Sequence, residues 1–544
     1  MMDTRLREDV FPVRIVESAG EVNEAQKLLE PVDLQIGTSE THLVHVKGKA
    51  HMILDFGKEY NGGVRLLTLQ AGGGLRVRIR CGESVSETCA EIGEKGCGNH
   101  HTVRDAEVDL LDYSDMTFME TGFRFARIDF PAGGECYIKA ITCVYVHRDL
   151  SPVGGFVCND ERVNEIFSVA SRTLTLNMQR YIWDGIKRDR LVWVGDMHPE
   201  TLGIVSLFGD DPSVLASLEY ARAHTPLPGW MNGIPTYSMW WVIILADYYR
   251  QNGNATYLTE QRAYIDGVVR QIASLVRDDG TLDVGGDSLF DWPSHETPDE
   301  IIGITALAYL AAQRAKELFR VLGLDLSVCD NMLAKLEGFS KKSAECKQCE
   351  AMKVYAGLCA PKEAAAFLTD GGARGMSTFM SYYILDSVAA AGQADQALEI
   401  MKTYYGAMLD KGATTFWENF DMDWADGTSR IDERPQAGQK DIHGDFGDYC
   451  YVGFRHSLCH GWSCGPVPFL IRTLGGIRPV EAGCKSVYVS PVSGGLMSYT
   501  LQYPTPYGTI DVVLQNGAFT VTYPKKIKLA VPQDRADVMC KKKK

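Results

Sequence analysis

Hydrophobic and polar positions alternate with a period of two over residues 52–149 and again beyond residue 485, and with a helical period over residues 159–475. In the first stretch Leu75, Val77, Ile79 and Cys81 point one way while Arg76, Arg78 and Arg80 point the other, as a half-buried antiparallel strand requires. Gly72-Gly73-Gly74 ahead of it reads as a turn, and Ala126, Ile128 and Phe130 set against Arg127 and Asp129 read as another strand. The first 150 residues therefore predict a β-sandwich. In the helical stretch Thr259 is positioned to cap a helix whose apolar stripe is Tyr264, Val268, Ile272 and Leu275. Residues 304–322 predict a helix stopped by Gly323, and residues 382–391 and 394–405, joined at Gly392, predict an αα-hairpin. A run of about 320 residues in paired helices suits a closed double ring, whereas a solenoid would need a repeat of fixed period, and none is found. Near the C-terminus Asn516-Gly517 between alternating segments is a strong hairpin signal, because both residues tolerate positive φ.

The predicted fold is multidomain α and β: an N-terminal β-sandwich (residues 1–155), an (α/α)6 barrel (156–478), a small C-terminal β-domain (479–540) and a solvated basic tail (541–544). The chain has 544 residues and a formal charge of −15. That acidity, without a basic stripe, argues against nucleic acid as a partner. No segment approaches the roughly 20 apolar residues of a membrane span. Charges in Met1 to Asp9 leave no apolar signal-peptide core, so a cytoplasmic location is expected. Fifteen cysteines without regular spacing predict free thiols. Cys346-Lys347-Gln348-Cys349 lacks a second pair at zinc spacing, and Cys89, Cys97, His100 and His101 fit no standard zinc pattern. No metal and no cofactor are expected. Oligomeric state is open between monomer and homodimer.

All nine tryptophans lie between Trp183 and Trp462, several beside carboxylates: Asp184 after Trp183, Asp196 after Trp193, Asp291 before Trp292 and Glu418 after Trp417. Such pairs suit a carbohydrate, whose C–H face stacks while its hydroxyls seek acceptors, although tryptophan also fills large cores. The segment from Asp184 to Asp196 holds three carboxylates at offsets of 5 and 12, interleaved with Lys187, Arg188 and Arg190. Those offsets make no single helical face, so a loop or helix start is expected. Glu418 stands alone in an apolar and hydroxyl-bearing stretch, where desolvation would raise its pKa. His460 and Trp462 form a third cluster.

These motifs, in order, resemble the α-L-rhamnosidases of glycoside hydrolase family 78. The resemblance rests on Arg188-Asp189-Arg190-Leu191-Val192-Trp193-Val194-Gly195-Asp196, on Ala413 to Glu418 and on Ser457 to Trp462. Upstream, residues 55–63, Cys81-Gly82-Glu83, residues 122–125 and residues 146–150 are similar to the β-sandwich that precedes the family's barrel. The resemblance implies an inverting exo-glycosidase releasing terminal α-L-rhamnose, with Asp189 as acid and Glu418 as base. Asp184, Arg188, Trp193, Asp196, Trp240, Asp291, Trp292, Trp417, His460 and Trp462 are the implied substrate-binding residues. The alternatives are a barrel hydrolase for another deoxy sugar or uronide, and a sugar-binding protein that has lost catalysis. Two departures are visible. Many members have Asp-Glu between the arginines, whereas only Asp189 stands there in this chain. Residues 234–241 also lack the Trp-Gly-Asp found in many members. An aspartate is one methylene shorter and starts from a pKa of about 3.9 rather than 4.3. Either Arg188 and Arg190 point away from Asp189, or Asp189 is not the acid.

Overall fold

The structure is a computed structural model and describes residues 3–285 and 288–543. Its N-terminal region is a seven-stranded sheet. Leu6–Val10, Glu135–His147, Val44–Gln70, Ser114–Phe130, Leu75–Gly82 and Asp105–Leu110 follow one another across it, and Arg14–Asn23 pairs with Val44–Gln70. The Arg76/Arg78/Arg80 strand lies where its alternation puts it, with Val77 and Ile79 in a core that belongs to this sheet alone.

The helices sort by how much of their surface is apolar. Every residue of Met197–Leu207 is buried, and Pro235–Asn252 is apolar nearly all round. Arg262–Ser274, by contrast, buries only the stripe of Ile265, Val268, Val269 and Ile272. A helix without a polar face must be enclosed by others, whereas a one-striped helix lies outside. Glu300–Leu322 ends at Gly323, whose φ of 63° is the left-handed conformation that glycine adopts without a Cβ clash. Ser381–Ala390 and Ala394–Asp410 form the predicted hairpin. Thr259 is not a cap: it lies inside a short helix, Ala255–Glu260, because Asn254 accepts the Tyr257 N–H and starts that helix earlier. No helix among the described residues is long and apolar enough to cross a membrane.

The C-terminal sheet of five strands takes one of them, Gly155–Cys158, from the start of the helical region. Its inward side chains, among them Tyr499, Leu501 and Val512, share one continuous core with the helices. Asn516 and Gly517 both have positive φ, as the Asn-Gly turn predicts. The basic tail is a strand: Val538–Lys542 pairs in parallel with Ala518–Tyr523, and Lys543 reaches Asp511 at 2.7 Å. Backbone pairing accounts for the difference, since the Lys541 and Lys542 side chains stay exposed. Lys544 lies outside the described residues. All fifteen cysteines are free thiols.

One buried ion cluster fastens the N-terminal sheet to the helical region. The Lys187 ammonium lies 2.9 Å from Glu83 and 3.2 Å from Glu87, and it donates to the carbonyls of Phe454 and His456. Glu83 also accepts the Leu458 N–H at 2.7 Å. Glu83, Glu87 and His443 bring possible metal ligands within 4.8 Å of one another. Lys187 already serves both carboxylates, and His443 bonds Ser84 Oγ and the His456 carbonyl. Removing the ammonium leaves buried carboxylates uncompensated, so Lys187→Met should lower unfolding stability by about 3–5 kcal/mol. Denaturant titration checks this, and adding Glu83→Gln to Lys187→Met should recover part of the loss.

Candidate active site

A cavity of about 480 Å³ opens where the segment 184–196, the start of Pro235–Asn252, and the loops around Trp292, Glu418 and His460 converge. Nine of the residues singled out by sequence line it: Asp184, Arg188, Asp189, Trp193, Asp196, Trp292, Glu418, His460 and Trp462. The other three do not. Trp240 is in the core, stacked at 5.1 Å on His198, because the helix that carries it is enclosed on all sides. Trp417 is buried edge-on against Phe420 and His456. Asp291 is buried behind the wall, accepting the Ser377 hydroxyl at 2.6 Å.

Asp184 organises its own loop. Its two oxygens accept the Asp189 N–H at 2.7 Å and the Leu191 N–H at 2.9 Å. Burial pushes its carboxyl up to about 7, against the pull of His460. The turn that results sends Arg188 inward and Arg190 outward, where Arg190 bonds Glu120 and covers the Trp183 ring. Arg188 grips Glu418 with one nitrogen at 2.6 and 2.7 Å and touches Asp189 with the other at 3.2 Å. One flanking arginine therefore points away from Asp189 and the other does not.

Glu418 is held by backbone on both sides. Its N–H donates to the Ser457 carbonyl, Ser457 N–H donates to its carboxylate at 3.1 Å, and Trp462 Nε1 donates to its carbonyl. Burial favours the neutral acid, but the Arg188 guanidinium, then His460 and His456, outweigh it and hold the group below the usual carboxylate range. The sequence expectation of a raised Glu418 is thus overturned, because the ion pair came from a residue remote in sequence. His460 bonds Asp196 through Nε2 at 3.0 Å, and its Nδ1 faces Glu418 at 4.0 Å with no hydrogen-bond partner among the described residues. Despite burial, Glu418 and Asp196 raise the His460 pKa.

Several residues in the site escaped the sequence reading. Tyr237 lines the cavity, its ring so close to Gly195 that a Cβ there would lie 2.3 Å from it, which explains the glycine between Val194 and Asp196. His295 and Cys450 also line it. His101 reaches Asp189 Oδ1 at 3.0 Å, from a loop of the N-terminal region, while Trp193 Nε1 holds Oδ2 at 3.1 Å. Only the enrichment of histidine near position 100 hinted at it. Glu200, buried behind Asp196 and Asp184, has no partner for either oxygen among the described residues, and burial raises its pKa well above normal.

Helices, loops and aromatic side chains thus surround one cleft that holds several carboxylates. Residues 151–327 match the family described as the bacterial α-L-rhamnosidase six-hairpin glycosidase domain, so the chain carries a rhamnosidase-like glycoside hydrolase domain, and the resemblance to family 78 is borne out. No curated protein matches the chain. Among solved structures, the family 78 rhamnosidase of Bacillus sp. GL1 has a TM-score of 0.74 at 18% identity, over 95% of this chain and 56% of that one. The rhamnosidase from Klebsiella oxytoca with rhamnose bound has a TM-score of 0.70 at 19% identity, over 86% of this chain and 96% of that one. The Streptomyces avermitilis α-L-rhamnosidase complexed with L-rhamnose has a TM-score of 0.69 at 17% identity, over 90% and 50%. At these identities the likeness is one of fold. The chain spans about half the length of the first and third of these proteins.

The buried Asp291 carboxyl offers a test of the electrostatics. Burial pushes it up to about 7 from 3.8, although Ser377 bonds it. The folded protein therefore holds this proton more tightly than the unfolded chain. Its contribution to stability is complete below about pH 4 and is lost as pH rises through about 7. Asp291→Asn should flatten that part of the stability profile, by up to about 4 kcal/mol, in denaturant titrations between pH 4 and 8.

Proposed function

We propose that the protein is an inverting, exo-acting α-L-rhamnosidase for small rhamnosides in the cytoplasm, built on a closed (α/α)6 barrel. Glu418 is the base that activates water, and Asp189 holds the place of the acid that protonates the departing oxygen, although its contact with Arg188 at 3.2 Å opposes the protonated form an acid needs. The observation that carries this reading is the single guanidinium of Arg188 touching both carboxylates across one cavity. Through that bridge the two stand no more than about 8 Å apart, a limit compatible with the roughly 6.5–9.5 Å that leaves room for water in inversion. The low pKa of Glu418 suits a base that must be ionised near neutrality. Trp193, Trp292 and Trp462 supply flat apolar walls, and Asp196 with His460 supplies hydrogen-bonding groups for sugar hydroxyls.

Purified protein should release rhamnose from an aryl α-L-rhamnoside, with the β-anomer appearing first by NMR. Glu418→Gln and Asp189→Asn should each lower kcat by about 100- to 10,000-fold. Release of another sugar from a panel of aryl deoxy sugars and uronides, and not of rhamnose, would replace the substrate assignment. A second reading, a binding protein without turnover, is favoured by the Arg188 contact with Asp189, because a guanidinium there keeps the carboxyl ionised and unable to act as an acid. It predicts that rhamnose raises Tm while Glu418→Gln changes nothing in the activity assay.

In the proposed mechanism His101 positions the acid. His101→Ala should lower kcat on an aryl rhamnoside by about tenfold with a smaller change in KM, because the Asp189 carboxyl loses one of the contacts that orient it. Equal kcat in His101→Ala and the parent would remove His101 from the site.

A further inference from the structure

A second cavity, of about 300 Å³, shares no lining residue with the first. Arg250 lies thirteen residues beyond Tyr237 on Pro235–Asn252, so the two cavities are about 20 Å apart along that helix. Its walls carry four guanidiniums, of Arg250, Arg314, Arg472 and Arg478, against the carboxylates of Asp247 and Asp386.

The pairing within this cluster is incomplete. Asp247 serves Arg250 at 2.7 Å, Arg314 at 2.6 Å and His198 at 3.2 Å. Glu317, outside the cavity, takes up the rest of Arg250. Asp386 accepts the Thr473 hydroxyl at 2.6 Å. Asp386 keeps its charge, but no carboxylate lies within ion-pair distance of Arg472 or Arg478 among the described residues. Among the described residues, Arg472 donates only to the Tyr503 hydroxyl, at 3.3 Å, and its buried Nε has no partner. The Arg478 side chain, exposed at the cavity's edge, makes no hydrogen bond or ion pair among the described residues. Neither bonds a helix-terminal carbonyl, the role an arginine otherwise takes at a helix C-terminus. The hydroxyls of Tyr355 and Tyr382, both on the wall, likewise have no hydrogen-bond partner among the described residues.

A guanidinium out of bulk water is costly unless an anion accompanies it, and its planar fork matches carboxylate and phosphate oxygens. Arg472 is such a guanidinium, and four arginines against the carboxylates of Asp247, Asp386 and Glu317 leave positive charge in excess around this cavity, in a chain of formal charge −15. We propose that this cavity binds a small organic anion through phosphate or carboxylate oxygens, with Arg472 and Arg478 as its charge partners and Tyr355 and Tyr382 as hydroxyl donors. The volume exceeds that of a bare phosphate, which favours a phosphate monoester or a dicarboxylate over the inorganic ion. The proposal is independent of the rhamnosidase reading.

The test is isothermal titration of the full chain with inorganic phosphate, glycerol phosphate and succinate, at constant ionic strength held with sodium chloride. Saturable binding of at least one probe is expected. Arg478→Ala and Arg472→Met should each weaken it by about tenfold or more, the scale of a lost charge-assisted hydrogen bond. Asp189→Asn and Glu418→Gln should leave it unchanged. The stronger of glycerol phosphate and succinate identifies the headgroup. Arg478 is exposed on the short strand Ile477–Pro479, so its variant should fold even if Arg472→Met does not. Absence of saturable binding by all three probes up to about 10 mM would overturn the proposal. So would binding that Arg478→Ala leaves untouched.

Discussion

The Lys187 ammonium is the point on which the architecture of the site depends. It is enclosed by two carboxylates of the N-terminal region and two carbonyls of the 454–456 loop, and it sits next to Arg188, the residue that meets Glu418. A buried charge tolerates little displacement, because each partner lost leaves an uncompensated group in a poor dielectric. The N-terminal sheet, the acidic loop 184–196 and the loop before Trp462 are therefore held in one register. That register brings His101 of the first region to Asp189 of the second.

Charge is distributed unevenly around the cavity, and each carboxylate differs for a local reason. Asp184 is buried and spends both oxygens on backbone N–H groups, so it shapes the loop. Glu418 is equally enclosed but faces Arg188, and so stays ionised. Asp196 is bonded by His460. Three acidic side chains close in space thus take different protonation tendencies from burial, backbone donors and a cation.

The tryptophans divide by the helices that carry them. Trp193, Trp292 and Trp462 sit on loops or at helix starts and reach the cavity, whereas Trp240 and Trp241 sit within a helix buried on every side and fill the core. An adjacent carboxylate in the sequence did not separate the two groups: Trp417 precedes Glu418 yet packs against Phe420 and His456 instead of lining the cavity.

Alternation and helical periodicity, which are local, were enough to specify the order of β, paired-helix and β regions, the strand at Leu75, the stop at Gly323 and the Asn516-Gly517 turn. Motif order pointed to nine of the cavity's residues, because loops that carry chemistry keep recognisable residue types. What the chain read alone left undecided were contacts between segments remote in sequence. Arg188 on Glu418, His101 on Asp189 and the gathering of four arginines around the second cavity are set by packing. Periodicity says which face of an element is buried, but only the tertiary structure decides what that face meets, and the charge of the neighbour then determines whether a buried carboxyl keeps its proton.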